Sequence, residues 1–239
     1  MALSHGALPI VTNGLVLALD AADRNSYPGS GTTWTDLSGN GNNGTMYGSI
    51  PFGTDVTSCF DFATVTGIGP GNASANASLG FTFNSNMIPT TGNFTFSCWI
   101  KNPNASVSQT GLFSNSIAGD GYRFGVGLNG IYVLIGPTYT EFVIPFSSTL
   151  SSSLWYNVVA VFSRTTASIL LYLNGVFQNS GSIPVSQTAF NGAQVPGLVR
   201  SACCGIYTGK LAGFSAYNRA LTAAEVSQNF NALRGRFGI

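Results

Sequence analysis

Hydrolysis of a glycosidic bond needs two carboxyl groups flanking it, one as acid and one as nucleophile or base. This chain of 239 residues has eight acidic residues, and its only glutamates are Glu141 and Glu225. Thr222 and Glu225 stand at capping-box spacing, which gives Glu225 a structural task at a helix start. No two carboxylates fall at i and i+2, or at i and i+4, on any expected strand. The one histidine, His5, lies in the N-terminal arm, away from any Ser or Asp constellation, so a nucleophilic triad is missing too. The chain is expected not to be an enzyme.

Metal binding is the next chemistry to weigh. The run Asp36-Leu-Ser-Gly-Asn-Gly-Asn-Asn-Gly offers hard oxygen ligands, and Asp20, Asp23 and Asp61 could approach it. It lacks the ordered spacing and closing bidentate Glu of an EF-hand loop. Asn and Asp beside Gly also make tight turns without any metal. The turn reading is favoured, with Asp20 and Asp36 the candidates should calcium bind, and no other cofactor is expected. Cys59 and Cys98 sit in apolar strand-like runs, and Cys203 and Cys204 are adjacent, so reduced thiols are expected rather than zinc ligands.

Sugar recognition asks for an aromatic face beside a few polar groups. By strand parity Trp99, Arg123, Tyr132 and Glu141 point off the main hydrophobic stripe, with Gly125 and Gly127 leaving a gap beside them. Together they would supply stacking, a bidentate donor and an acceptor. The competing reading is structural: Trp99 is covered by the C-terminal helix or a long loop, and Arg123 pairs with Glu141. Tryptophan is highly buried on average, which favours the second reading.

The elements that must position these residues are strands. Phe94, Phe96, Cys98 and Ile100 alternate with Thr95, Ser97 and Trp99. Tyr122, Phe124, Val126 and Leu128 alternate with Arg123, Gly125 and Gly127, and Asn129–Gly130 reads as the two-residue turn into IYVLIG. Asn174–Gly175 reads likewise between SILLYL and VFQNSG, and LWYNVVAVFS pairs with SILLYLNG. GLVLALD (14–20) and SCFDFA (58–63) are earlier strands, and the stretch from Thr64 to Leu79 reads as surface loop. One helix is expected near 222–234, with Val226, Phe230 and Leu233 as its apolar stripe and Gly235 at its end. The pattern is all-β: two antiparallel sheets packed as a sandwich, with a lone C-terminal amphipathic helix. Phe94, Phe96, Ile100, Val126, Leu128, Leu171 and Leu173 should be buried between the sheets.

Bulk composition bounds the partners. Hydrophobic residues are 44% of the chain, enough for a large core, while charged residues are only 7% against about 25% in ordinary globular proteins. The nine basic residues are scattered and the net charge is +1, which argues against nucleic acid. No apolar run reaches the ~20 residues that span a bilayer, and no signal peptide is read at the N-terminus. Synthesis in a cytoplasm is therefore expected. Five Asn-x-Ser/Thr sequons, at Asn43, Asn72, Asn76, Asn93 and Asn104, carry no glycosylation reading in that setting.

Several segments resemble one family. GLVLALDAADRNSYPGSGTTWTDLSGNGNNGT, FTFSCWIK, LWYNVVAVFS with ILLYLNG, and the closing LAGFSAYNRALTAAEVSQNFNALRGRFGI are similar to laminin-G-like, concanavalin A-type domains, in particular those of tailed-bacteriophage virion proteins. The resemblance implies a concanavalin A-like jelly roll over residues 14–239, preceded by an N-terminal arm over 1–13. It also implies a non-enzymatic virion protein on the particle surface, as capsid decoration or as a fibre or appendage subunit. Its partners would be other virion proteins and further copies of itself. The alternative is a lectin-like adhesin for host-surface glycans. Glucanases of this fold carry a Glu-x-Asp-x-x-Glu strand that this chain lacks, which leaves a glycan-cleaving enzyme least favoured.

Overall fold

The computed structural model describes residues 8–63, 80–83, 87–103, 111–115, 121–136, 141–183, 196–199 and 207–239. The strands among them begin with β1 (Leu15–Asp20), β2 (Thr33–Trp34), β3 (Gly44–Tyr47), β4 (Phe52–Asp55), β5 (Thr57–Asp61) and β6 (Gly80–Thr82). They continue with β7 (Phe94–Lys101), β8 (Phe113–Ser114), β9 (Gly121–Gly127), β10 (Gly130–Gly136) and β11 (Glu141–Pro145). The last are β12 (Trp155–Ser163), β13 (Ser168–Leu173), β14 (Val176–Ser182), β15 (Gly197–Leu198) and β16 (Lys210–Tyr217), followed by helix α1 (Ala223–Leu233). The expected stretch from Thr64 to Leu79, and Cys203 and Cys204, lie outside the described residues.

All described pairings are antiparallel and form two sheets. The first runs β14-β13-β12-β7-β16-β5-β4, with β1 also pairing β16; the second runs β11-β10-β9-β8-β15-β6-β3-β2. Their inner faces make one core, in which Phe94 stacks on Phe162 at 4.3 Å and Phe113 of the second sheet meets Phe214 of the first at 4.7 Å. Such ring pairs add to the area they bury. Phe94, Phe96, Ile100, Val126 and Leu171 are buried as their parity requires, whereas Leu128 and Leu173 pack against the core only partly covered. Leu128 lies in one hairpin turn and Leu173 borders another, which explains the difference.

The two Asn-Gly pairs behave differently. Asn174 and Gly175 both have positive φ, 49° and 77°, and join β13 to β14 as read. The β9–β10 turn is instead Leu128–Asn129, because Gly127 pairs directly with Gly130. Gly130 is required for another reason: a Cβ there would stand 2.4 Å from the carbonyl oxygen of Ile144 on β11. The glycine serves strand approach, not the turn.

At the C-terminus Thr222 and Glu225 form the expected capping box. The buried helix residues are Val226 and Asn229, while Phe230 and Leu233 are partly covered. Gly235 does not end the chain's helical path. A 3-10 turn, Arg234–Phe237, follows directly, and the left-handed residue is Gly238 at φ 73°. The extra turn lets Phe237 reach the outer face of the first sheet, where it lies parallel to Trp99 at 3.8 Å and tilted against Trp155 at 5.3 Å.

Candidate functional site

The four residues expected to share a sugar-binding face are split between the two sheets. Trp99, on β7, is 4% exposed beneath Phe237 and Phe230, so its ring is not free to stack on a ligand. The other three do meet. Arg123, Leu134 and Glu141 are register partners across β9, β10 and β11, and Tyr132 lies two residues from Leu134 on the same face. The Tyr132 hydroxyl donates to Glu141 Oε1 at 2.7 Å. Burial, reinforced by that carboxylate and opposed by Arg123, pushes the hydroxyl's pKa above its ordinary value. Arg123 and Tyr132 are 2% and 1% exposed, although they point away from the core. Trp99 is thus covered by the C-terminal segment, as the structural reading favoured, and Arg123 and Tyr132 are buried beside Glu141, which with Val143 on β11 is exposed.

The Asp36 loop is a turn. Asp36 Oδ1 accepts from the backbone N–H groups of Ala18 and Ser38, both at 2.9 Å, and Oδ2 from Ser38 Oγ at 2.7 Å and the N–H of Asn42 at 3.0 Å. Asn40 and Asn42 reach back to the carbonyls of Leu15 and Val16, stitching the loop to β1. Among the described residues no three His, Cys, Asp or Glu side chains converge as a metal site.

The remaining carboxylates are equally engaged. Asp20 accepts from Ala22 N–H and from Arg236 at 2.7 Å, Asp23 from Asn25 N–H, and Asp61 from Ala63 N–H. Asp55 lies between Lys101, at 3.0 Å, and Lys210. The hydrogen bond from Lys210 leads the effects that hold its pKa below the ordinary carboxylate value. Glu225 takes a bidentate pair from Arg219 and the capping contacts of Thr222, which lower its pKa to about 2. Asp120 lies outside the described residues. Each described carboxylate thus accepts at least one hydrogen bond.

A second polar site went unread in the sequence. On the outer face of the first sheet a cavity of about 30 Å³ is lined by Ser97, Trp99, Asn157, Asn229, Asp20 and Arg236, among others. The signal was present. Asn157 interrupts the apolar run of β12, and Asn229 interrupts the helix stripe. Asn229 Oδ1 accepts from Val11 N–H at 2.8 Å and its Nδ2 donates to the Tyr217 hydroxyl at 2.9 Å, which fastens the N-terminal arm beneath the helix.

Comparison with known proteins agrees with this architecture. A model of the concanavalin A-like lectin/glucanases superfamily matches residues 71–227, well over half of the chain. No curated protein matches the sequence. Among solved structures, the binding domain of Paraclostridial Mosquitocidal Protein 1 is similar at TM-score 0.66 and 18% identity, over 92% of this chain and 52% of that one. Domain 4 of AbnA, a GH43 extracellular arabinanase from Geobacillus stearothermophilus in complex with arabinotriose, gives TM-score 0.65 and 13% identity over 90% of this chain and 97% of that one. The binding domain of Botulinum Neurotoxin DC in complex with SialylT gives 0.60 and 15%, over 93% and 52%. The chain thus spans about half the length of the toxin domains it matches. At these identities the likeness is one of fold.

Proposed function

The chain belongs to the concanavalin A-like lectin/glucanases superfamily, and from that premise we propose that it is a non-enzymatic protein displayed on the surface of a tailed-bacteriophage particle. It serves there as a capsid decoration or a fibre or appendage subunit, alongside other virion proteins and further copies of itself. One observation carries the non-enzymatic half: each described carboxylate is committed to a turn, cap, ion pair or tyrosine. The virion half is supported by the resemblance of the opening and closing segments to phage proteins. Low charge, 7% of residues, suits a surface that meets neighbours more than solvent. Gold-labelled antibody against the chain should decorate purified particles in electron micrographs. Label confined to the soluble lysate overturns the virion role.

A second reading, compatible with the first, is that the displayed domain binds host-surface glycan. Similarity to an arabinanase domain holding arabinotriose, and to a toxin binding domain holding SialylT, favours it. Such single-site contacts are weak, and many copies on one particle would supply the avidity. Retention of the purified chain on host envelopes, lost after the polysaccharide is stripped, is the expected result; retention that survives stripping contradicts it.

A further inference from the structure

Charge is spread unevenly along the chain. From Phe142 to Val199 the only charged residue is Arg164. It is 8% exposed, and its Nη1 donates to the carbonyls of Pro89 at 2.9 Å and Gly92 at 2.8 Å, so its charge stays off the surface. Most of β11 and all of β12, β13 and β14 come from this stretch. β14 is the edge of the first sheet and β11 the edge of the second. They lie side by side: Asn179 Nδ2 donates to the Pro145 carbonyl at 3.3 Å, and a Cβ on Gly181 would stand 2.8 Å from the Ile144 side chain. The two edges therefore form one side wall of the sandwich.

Edge strands are ordinarily guarded against other chains by charges or prolines. β4, at the opposite edge of the first sheet, ends on Asp55 with Lys101 and Lys210 bonded to it. β11 has Glu141 at one end and Pro145 at the other. β14, VFQNSGS, has neither a charge nor a proline. It holds two large apolar side chains in solvent, Val176 at 63% and Phe177 at 52% exposed, and β11 adds Val143 at 55%. The one guard on β14 is a bulge at Gln178, where Phe177 and Asn179 oppose the consecutive Tyr172 and Leu171. A bulge disturbs a continuous ladder with another chain, so contact here is by side-chain packing.

The missing charge selects the partner. A charged surface laid on this wall would lose hydration and find no counter-charge. A second copy brings the same uncharged wall, and about a two-fold axis every contact is returned with no like charges opposed. We propose that the wall formed by β14 and β11 is the surface through which two copies of this chain associate, with Val176 and Phe177 as its anchors. The inference rests on the reading that copies assemble on one particle and names the face they use.

The test is sedimentation equilibrium of the full chain from micromolar to millimolar concentration. A reversible monomer–dimer equilibrium is expected. Phe177→Lys and Val176→Lys each set like charges against one another across the axis and should weaken it about tenfold or more. Both side chains are more than half exposed, so the melting temperature should barely change. Tyr47→Lys, at a residue 50% exposed on β3 near the far edge of the second sheet, is the control and should leave the equilibrium unchanged. Amide exchange of the native chain needs no variant: β14 should become more protected as concentration rises. A monomer at every concentration overturns the proposal. So does a dimer that ignores both lysines, or one that Tyr47→Lys weakens equally. Gold-labelled particles with a monomeric chain would keep the virion reading and remove only this wall. A β14-dependent dimer with no label on particles would do the reverse.

Discussion

Asp36 shows how a residue weighed for metal chemistry instead holds a turn together. Its two oxygens accept four hydrogen bonds, three of them from N–H groups of β1 and its own loop. Hydrogen bonds to a charged group contribute about 1.5–3 kcal/mol each, but they are not additive within one turn. Asp36→Ala should therefore cost about 2–4 kcal/mol in denaturant unfolding. An unchanged urea midpoint would mean that the loop is held by its asparagines alone. Arg123, Tyr132 and Glu141 make the same point on the second sheet. Their meeting follows from strand parity and register, so it was readable in the sequence; the burial of Arg123 and Tyr132, which depends on what packs over the face, was not.

At the scale of elements, the terminal helix joins local and long-range design. Its capping box was visible as Thr222 and Glu225, because that motif is local. Arg219 adds a bidentate partner to Glu225, and the carboxylate's pKa falls from 4.5 to about 2. A depressed pKa stabilises the fold fully above the unfolded value, near 4.5, and the contribution disappears as pH falls through about 2. Both side chains are 26% exposed, so solvent screening reduces the effect to about 1–2 kcal/mol. Between pH 5 and pH 2 the native protein should lose about that much more stability than Glu225→Gln. The comparison cancels the other acid-sensitive pair, Asp55 with its lysines, since both proteins keep it. Parallel acid limbs in the two proteins would contradict the assignment. Cover over Trp99 from the C-terminal helix was one reading the sequence offered, but the stacking of Phe237 on it was beyond reach, because it depends on a contact between residues 138 positions apart. Gly235 invited an early stop, whereas docking of Phe237 demands one more turn.

Across the whole molecule, alternation of apolar and small polar residues set the two sheets, and the strands that read most clearly, β7, β12 and β13, form the centre of the first. The Asn129–Gly130 turn misled because glycine was needed where β10 passes β11, a tertiary demand that mimics turn chemistry. Polar residues that break an apolar stripe, Asn157 and Asn229, proved more informative than the exposed acids, because each marks a place where two layers meet around a polar group. The fold alone is shared by binding modules and by catalysts, so the account turns on whether this chain does chemistry. The most direct measurement is release of reducing ends from arabinan, β-glucan, galactan and bacterial surface polysaccharide by the purified chain. The account predicts no release above a boiled control. Release that persists in the native protein and disappears in Glu141→Gln would contradict it, since Glu141 is the one glutamate not held by the helix cap.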